Sequence, residues 1–411
     1  MWDAEFNEWE VREIRTKTTA YLGAGAIEKL DDIAAELKAR GISKLLCVTG
    51  GRSYKLTGAW EHVQKACAKH GLTTTLYDKV TPNPTTDSID EAAELGRSAG
   101  AQAVLCIGGG SPIDAGKSAA ILLANPGRTG EELYTYQFTP TKAVPIVVIN
   151  LTHGTGSEVN RFAVASITKL NYKPAIAYDC IYPLFSIDDP ALMTKLSPKQ
   201  TRYVSIDAVN HVVEAATTTV ANPLAILLAE ETIRLVAKYL PKASADPDDL
   251  KARYCLSYAS MIAGTAFDNG MLHFTHALEH PLSGVKPELS HGLGLSMLLP
   301  AIIEECYPAC AATLASILRP IMPDLKGDPD EARQGRGRMA GANGRAGKAG
   351  GRRLYRGRHR PPVRTCGRDA FPRLAAFSGP RTRRPGTDRP DLPPLPQKDG
   401  IKAKAPQQRK N

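Results

Sequence analysis

The first half of the chain alternates short apolar runs with amphipathic stretches of helical period. Four runs rich in Val, Ile, Leu and Thr predict buried strands: residues 44–49, 73–77, 103–107 and 145–149. Residues 58–70 predict a helix between the first two, and an earlier helix has an apolar face made of Ile27, Leu30, Ile33, Ala34 and Leu37. Strands alternating with helices at this spacing predict a doubly wound parallel sheet over residues 1–190.

The pattern changes after residue 190, where long helical stretches replace the strands. Residues 222–240 and 250–267 both repeat apolar side chains at helical spacing. We therefore expect a second, all-helical domain over residues 191–330.

In doubly wound sheets, ligands bind outside the carboxyl ends of the strands, so the loops after the predicted strands are the first candidates for a binding site.

Composition fits an ordinary folded protein. With 411 residues, 43% of them hydrophobic, the chain has enough apolar material for two cores. Its eight cysteines are scattered, which is typical of small buried side chains in a reducing compartment. We find neither an apolar run of the roughly 18 residues that a membrane span needs nor a signal-peptide pattern. The sequence thus predicts a cytoplasmic protein with no membrane partner.

Charge and composition both change abruptly near residue 331. Residues 331–411 hold 22 Lys and Arg against 5 Asp and Glu, whereas residues 1–330 carry a net charge of −7. The folded body therefore lacks the positive surface that nucleic acids require. The tail also contains 12 Gly and 10 Pro and too few large apolar residues for a core, so we expect it to be disordered or aberrant.

Two interpretations of the tail are open. It could be a basic arm that binds nucleic acid or an acidic membrane, with its densest patch at residues 351–360. It could instead be a frameshifted sequence, because GC-rich codons translated out of frame yield Arg, Gly, Pro and Ala. The abrupt change of composition favours the frameshift.

A glycine-rich loop follows the predicted 103–107 strand and leads into a helix. Its Gly109, Gly110 and Ser111 offer close backbone approach, free N–H groups and a hydroxyl donor, which suit a pyrophosphate. A tight strand-to-helix turn would use the same residues. The loop lacks the spaced-glycine dinucleotide fingerprint, and the Gly-Lys-Ser at 116–118 lies too deep in the predicted helix for a P-loop.

Two further loops would border the same ligand. Residues 150–158 supply backbone and hydroxyl donors, and residues 50–55 lie where an adenosine ribose sits in sheets of this kind. Basic and hydroxyl side chains there suit a 2′-phosphate, which favours NADP over NAD. The residues concerned are Gly50, Gly51, Arg52, Ser53 and Lys55.

Histidines and an acidic residue gather in the predicted helical domain. Asp207 and His211 are four residues apart on one helix, His276 and His280 are four apart on another, and His291 follows in a loop. Imidazoles and a carboxylate in this grouping suit a divalent first-row metal.

Alternatives to a metal site exist for these residues. In general, a buried histidine can simply be a hydrogen-bonded core residue. We assign this role to His273, because it lies on a different helical face from His276 and His280. Residues 276–280 also fit the H-x-x-E-H pattern of a zinc peptidase, with Glu279 as general base. A nucleotide-binding domain argues against the peptidase, which has no need of one.

Together these features resemble the iron-containing (group III) alcohol dehydrogenases over most of residues 15–330. The resemblance rests on TPNPT (81–85), GGGSPIDAGK (108–117), GTGSE (154–158), DAVNH (207–211), HALEHPL (276–282), HG (291–292) and LLP (298–300). Members of that family combine an N-terminal Rossmann-like domain with an all-α, metal-binding C-terminal domain. The resemblance implies hydride transfer between a small primary alcohol or aldehyde and NAD or NADP.

Carried over by position, the resemblance also implies roles for individual residues. A metal, Fe²⁺ or alternatively Zn²⁺, would be held by Asp207, His211, His276 and His291, and His280 would line the substrate pocket and relay the alcohol proton. Cofactor contacts would come from Gly109, Gly110, Ser111, Asp114, Thr152, Thr155 and Lys173, the last near the nicotinamide ribose.

The sequence departs from the family pattern in two places. His280 and His291 are one residue further apart than in the family. Family members also continue past Pro329 with further helices, whereas here the basic tail follows. We therefore expect a homo-oligomeric enzyme with a damaged C-terminus, in which apolar side chains are exposed at Leu298, Leu299, Ile302 and Ile303.

Overall fold

The computed structural model describes residues 11–328 of the chain. The predicted tail, residues 331–411, lies outside the described residues. Within them, eight strands occur: β1 (Thr19–Leu22), β2 (Lys44–Gly50), β3 (Thr73–Val80), β4 (Ala103–Gly108), β5 (Ile146–Asn150), β6 (Phe162–Val164), β7 (Ala175–Ala177) and β8 (Phe185–Asp188).

Six of these strands form one parallel sheet in the order β1-β8-β5-β4-β2-β3, and β6 and β7 form an antiparallel hairpin. The four strands predicted from the apolar runs are β2 to β5. The sequence pattern did not indicate β1 and β8, since each has only four residues. The order of the strands reverses between β2 and β4, since β3 lies beyond β2 and β5 lies beyond β4. The loops after β2 and β4 therefore border the topological switch point.

Eleven α-helices lie in the same range: α1 (Leu30–Ala39), α2 (Ser53–Leu56), α3 (Ala59–His70), α4 (Thr86–Ala99), α5 (Gly110–Ala124), α6 (Gly130–Tyr134), α7 (Pro198–Thr217), α8 (Pro223–Ala245), α9 (Leu250–Gly270), α10 (Phe274–Val285) and α11 (His291–Leu318). Short 3₁₀ helices cover Ala26–Lys29, Ser157–Val159, Thr168–Leu170, Asp179–Ile181 and Pro190–Met193.

Alternating side chains along the strands build a core on each face of the sheet. Leu46 and Val104 belong to the core that includes α4 and α5, whereas Leu45 and Leu105 belong to the core that includes α1 and α3. Both faces are therefore covered, which confirms the predicted doubly wound arrangement.

The described residues after 190 are helical, as predicted, and their long helices begin at side-chain caps. Ser197, Asn222 and Asp249 each accept a hydrogen bond from the backbone N–H three residues later. Pro198 and Pro223 occupy the first helical position, where a missing N–H costs nothing. The boundary at residue 190 itself stays a prediction.

Helix α11 corrects one expectation. By length and composition alone it is apolar enough to cross a membrane, and 33% of its most apolar stretch is buried within the protein. Leu299 and Ile303 were expected to be exposed, yet they are buried in the core formed with α7, α8 and α9. Leu298 and Ile302 are partly buried.

The loop after β5 ties the sheet to the helices. A Cβ on Gly156, which has a φ of +60°, would lie 2.3 Å from Gly264 Cα of α9. His153 is buried in the same loop, its Nε2 accepting a hydrogen bond from Arg253 Nη1 at 3.1 Å. Arg253 also donates to Thr201 Oγ1 at 2.8 Å. The sheet loop, α7 and α9 therefore share one buried polar contact.

Acidification should destabilise the protein through His153. Burial, with help from Arg253, lowers the pKa of His153 to about 3 from its ordinary 6.5. Below pH 6.5 the unfolded chain binds a proton that the folded chain does not, so stability present at pH 7 falls by about 2 kcal/mol at pH 5. His153→Gln keeps an acceptor for Arg253 and does not titrate. Denaturant unfolding in the presence of a chelator should show that it loses about 2 kcal/mol less than the parent over this range, and equal losses would contradict the assignment.

Candidate active site

One cleft of about 1270 Å³ joins the carboxyl edge of the sheet to α7, α10 and α11. Sixteen of the seventeen residues predicted for the site line it. They are Gly50, Gly51, Arg52, Ser53, Gly109, Gly110, Ser111, Asp114, Thr152, Thr155, Lys173, Asp207, His211, His276, His280 and His291. The exception is Lys55, an exposed residue whose Nζ lies 5.1 Å from the centre of the Tyr54 ring.

The glycine-rich loop packs directly on the loop after β5. A Cβ on Gly109 would lie 2.7 Å from the Thr152 side chain, and one on Gly110 would lie 2.5 Å from Thr155 Cγ2. No side chain caps the N-terminus of α5, which borders the cleft. The glycines therefore serve a tight turn and also leave a helix N-terminus open to an anion.

Asp114 and Lys117 fix this pair of loops from behind. Asp114 accepts hydrogen bonds from Ser157 Oγ at 2.6 Å and from the Val164 N–H at 3.0 Å. Lys117 is fully buried and donates to the Asn160 carbonyl at 2.8 Å, so it is not a P-loop lysine. Burial raises the pKa of Asp114 to about 6, although Lys117 opposes the rise, and burial lowers the pKa of Lys117 to about 8.

At the helical end of the cleft, three imidazoles surround one carboxylate oxygen. Asp207 Oδ1 lies 3.5 Å from His211 Nε2, 3.6 Å from His276 Nε2 and 3.7 Å from His291 Nε2. Ligands about 2.1 Å from a tetrahedral metal are about 3.4 Å apart. These spacings suit ligands of a first-row metal, and Asp207, His276 and His291 offer atoms that all lie within 4.8 Å of one another. His211 adjoins this group through Asp207, and we call the four residues the cage. The longer spacing before His291 does not remove it from the cage.

Unsatisfied buried atoms in the cage are suited to a cation. Asp207 Oδ1 and His276 Nε2 are buried and have no hydrogen-bond partner among the described residues. A buried carboxylate oxygen without a donor is costly, and it becomes favourable when a cation lies beside it. Oxygen and imidazole nitrogen are donors that Fe²⁺ and Zn²⁺ both accept.

Two of the cage histidines hydrogen-bond buried glutamates on their other ring nitrogen. His276 Nδ1 donates to Glu214 Oε1 at 2.8 Å, and His291 Nδ1 donates to Glu279 Oε2. With a carboxylate accepting at Nδ1, the proton of the neutral ring lies there and Nε2 is free to bind a metal.

The charged groups of the cage shift one another's pKa values. Burial raises the pKa of Asp207, but the imidazoles outweigh it and leave the pKa far below its ordinary value. Burial lowers the pKa of His276, but Glu214 and Asp207 outweigh it and raise the pKa to about 9. Burial lowers the pKa of His211 to about 4 despite Asp207. A cation entering the cage at neutral pH would therefore displace a proton from His276.

Comparison with known proteins is consistent with this geometry. Residues 17–190 match the model of iron-containing alcohol dehydrogenases, and residues 201–337 match the C-terminal model of the Fe-containing alcohol dehydrogenase family. The chain belongs to the iron-containing alcohol dehydrogenase family. It is an NAD-linked alcohol dehydrogenase, as the resemblance implied, and the comparisons support neither the peptidase nor the nucleic-acid-binding alternative.

Individual relatives of this alcohol dehydrogenase agree. The chain is 58% identical over 332 residues to the long-chain primary alcohol dehydrogenase AdhA of Thermoanaerobacter ethanolicus, covering 81% of this chain and 83% of that protein. It is 33% identical over 284 residues to the NAD-dependent methanol dehydrogenase of Bacillus methanolicus, covering 68% and 72%. The NADH-dependent butanol dehydrogenase A of Thermotoga maritima superposes with a TM-score of 0.69 at 29% identity, covering 75% and 79%.

Two other side chains of the alcohol dehydrogenase agree with their predicted settings. His280 is partly buried, with its ring centre 6.0 Å from that of His276 and 5.6 Å from that of His291. His273 lies apart from the cleft lining, and its Nε2 hydrogen-bonds Thr217 Oγ1 at 2.8 Å.

Sequence patterns missed three parts of this site. Glu214 was overlooked, although it continues the Asp207 and His211 face of α7 at positions i, i+4 and i+7. Glu279 was considered only as a peptidase base. Phe162 and Phe267, whose ring centres are 5.2 Å apart, line the cleft beside His211. No sequence pattern predicts that these two rings line the cleft, because their position depends on the contact between β6 and α9.

Proposed function

We propose that this enzyme interconverts primary aliphatic alcohols and aldehydes with NAD(H) or NADP(H) as cofactor and a divalent metal, Fe²⁺ or Zn²⁺, in the cage. One observation carries the proposal. Asp207 Oδ1 has three imidazole nitrogens within 3.7 Å, in a cleft that the Gly109–Gly110 turn also borders. When bound, the metal supplies a Lewis acid for the substrate oxygen, and the nicotinamide exchanges a hydride with the carbinol carbon.

The cofactor would extend along the loops at the carboxyl edge of the sheet. Gly109, Gly110 and Ser111 would bind the pyrophosphate at the α5 N-terminus. Thr152 and Thr155 would contact the nicotinamide half of the cofactor. The hydrogen bond from Ser157 to Asp114 would hold their loop in place. The adenosine would lie beside Gly50 and Gly51, with Arg52 and Ser53 near its 2′-phosphate. Lys173 would adjoin the nicotinamide ribose.

His280 would move the alcohol proton. Burial, together with the electrostatic effects of His291 and Lys173, lowers the pKa of His280 well below its ordinary value. The imidazole therefore does not hold a second proton near pH 7 and would pass the alcohol proton on to solvent. Its partly exposed position in the cleft gives that proton a route to solvent.

The wall beside His211 supports an alkyl substrate. Phe267 stacks on His211 with ring centres 4.5 Å apart, and Phe162, Val164 and Leu272 extend the apolar lining. Such a wall would exclude water from the reacting carbon, and each methylene of the substrate that it buries would make the binding free energy more favourable. The similarity to a long-chain primary alcohol dehydrogenase supports the same substrate class.

Other expectations from the sequence belong to this proposal. The enzyme would be a cytoplasmic homo-oligomer divided near residue 190 into a nucleotide-binding and a metal-binding domain. The matched family ranges, 17–190 and 201–337, support that division.

Removing one cage histidine should abolish turnover. The assay is anaerobic NADPH oxidation with aldehydes from two to eight carbons, on chelator-treated protein with and without added Fe²⁺. The parent should require the metal, and His276→Ala should lose more than about 100-fold in kcat/KM together with bound metal. His273→Ala is the matched control and should stay within about threefold, since its ring lies outside the cleft. Turnover that survives both chelation and His276→Ala would contradict the proposal.

Arg52 should select NADPH over NADH. A charged hydrogen bond to a 2′-phosphate is worth about 1.5–3 kcal/mol, so Arg52→Ala should raise KM for NADPH at least about tenfold and leave KM for NADH unchanged. Lys55→Ala removes the same charge outside the cleft lining and should change neither. Equal effects of Arg52→Ala on both cofactors, or none, would show that Arg52 does not contact the 2′ position.

A further inference from the structure

Two buried glutamates lie behind the cage and have no part in the function described so far. Glu214 and Glu279 are both fully buried. Each contacts one cage histidine through Nδ1, the ring nitrogen that faces away from Asp207. A buried carboxylate is costly unless several donors compensate it, so their partners indicate what they do.

Glu214 uses both oxygens on the start of α10. Its Oε1 accepts hydrogen bonds from His276 Nδ1 at 2.8 Å and from the His276 N–H at 3.1 Å. Its Oε2 accepts the His273 N–H at 2.5 Å. Glu214 comes from α7, the helix that carries Asp207 and His211. One side chain therefore fixes the His276 ring relative to the rest of the cage.

Glu279 does the same for the start of α11. Its Oε2 accepts hydrogen bonds from His291 Nδ1 and from Ser283 Oγ, the latter at 3.3 Å. A Cβ on Gly294 would lie 2.8 Å from Glu279 Cγ, so the first turn of α11 rests directly on this side chain.

Lys173 holds Glu279 from the other side. Its Nζ donates to Ser283 Oγ at 2.9 Å and lies 3.8 Å from Glu279 Oε2. Lys173 precedes β7, so this contact connects the sheet side of the cleft to α10. A Cβ on Gly284 would lie 3.0 Å from the Asn171 carbonyl, which shows how closely the loop before β7 packs on α10.

We propose that Glu214 and Glu279 are positioning residues that orient His276 and His291 for metal binding, with Lys173 fixing Glu279. This inference rests on the proposed function, because it takes the cage as the metal site. A carboxylate at Nδ1 fixes the tautomer, limits ring rotation and strengthens Nε2 as a ligand. His211 differs, since its Nδ1 has no hydrogen-bond partner among the described residues and its ring stacks on Phe267 and His276.

A double-mutant cycle tests whether Glu279 acts through His291. Co²⁺ is titrated into metal-free, full-length protein, and its visible absorption gives the dissociation constant and the symmetry of the site. Glu279→Gln should weaken Co²⁺ binding about 10- to 100-fold in the parent and shift the absorption bands. In the His291→Ala background the same substitution should change affinity by less than about threefold, because the ligand that it positions is gone. Glu304→Gln, on the exposed side of α11, is the matched control and should change nothing.

The outcomes separate the possibilities. An equal loss in both backgrounds, or no loss in the parent, overturns the inference, and thermal unfolding of the metal-free proteins identifies a general loss of structure. If Glu279→Gln does not fold, the cycle of Glu214→Gln with His276→Ala is decisive in the same way. A parent that does not bind Co²⁺ contradicts the proposed function and this inference together, whereas a parent that binds without coupling overturns this inference alone.

Discussion

The structure depends on holding one buried carboxylate among three imidazoles. Asp207 Oδ1 has no hydrogen-bond donor of its own, and α7, α10 and α11 each contribute to the cage around it. In a low-dielectric interior such a group is tolerated only with compensating positive charge. Glu214 and Asp207 raise the pKa of His276 to about 9 against the effect of burial, which favours its charged form, and a divalent cation would replace that charge. The charge balance of the cage thus links the folding of three helices to the chemistry.

The second constraint is that the cage and the cofactor loops must face the same cleft. The cage belongs to the helices, whereas the open α5 N-terminus belongs to the sheet. The contacts that join them include Gly156 against Gly264, His153 with Arg253, and Lys173 with Glu279. Each is buried and involves close backbone approach or a charged group. Such contacts resist sliding, so the fold holds the cofactor loops and the cage facing each other.

Local features of the fold were predictable, and long-range ones were not. The apolar runs that became β2 to β5 are long enough to stand out, and Asp207 with His211 and His276 with His280 occur at helical spacing. Lys55 shares the charge of Arg52, but its position on the short helix α2 points it away from the cleft lining. Strands β1 and β8 depend on pairing between residues more than 160 positions apart, which local pattern does not reveal. Leu299 and Ile303 were misjudged for a similar reason, because α7 to α9 cover them.

The central claim is that one metal lies among Asp207, His211, His276 and His291. Anomalous diffraction at the metal absorption edge, from crystals of the iron- or cobalt-loaded protein, tests it most directly. A single peak about 2.0–2.2 Å from Asp207 Oδ1 and the three Nε2 atoms is the expected result. The described residues hold two groups of potential ligand atoms that lie close enough together, one of Asp207, His276 and His291 and one of Glu279, His280 and His291. A peak on the second group, or none at the cage, would contradict the claim.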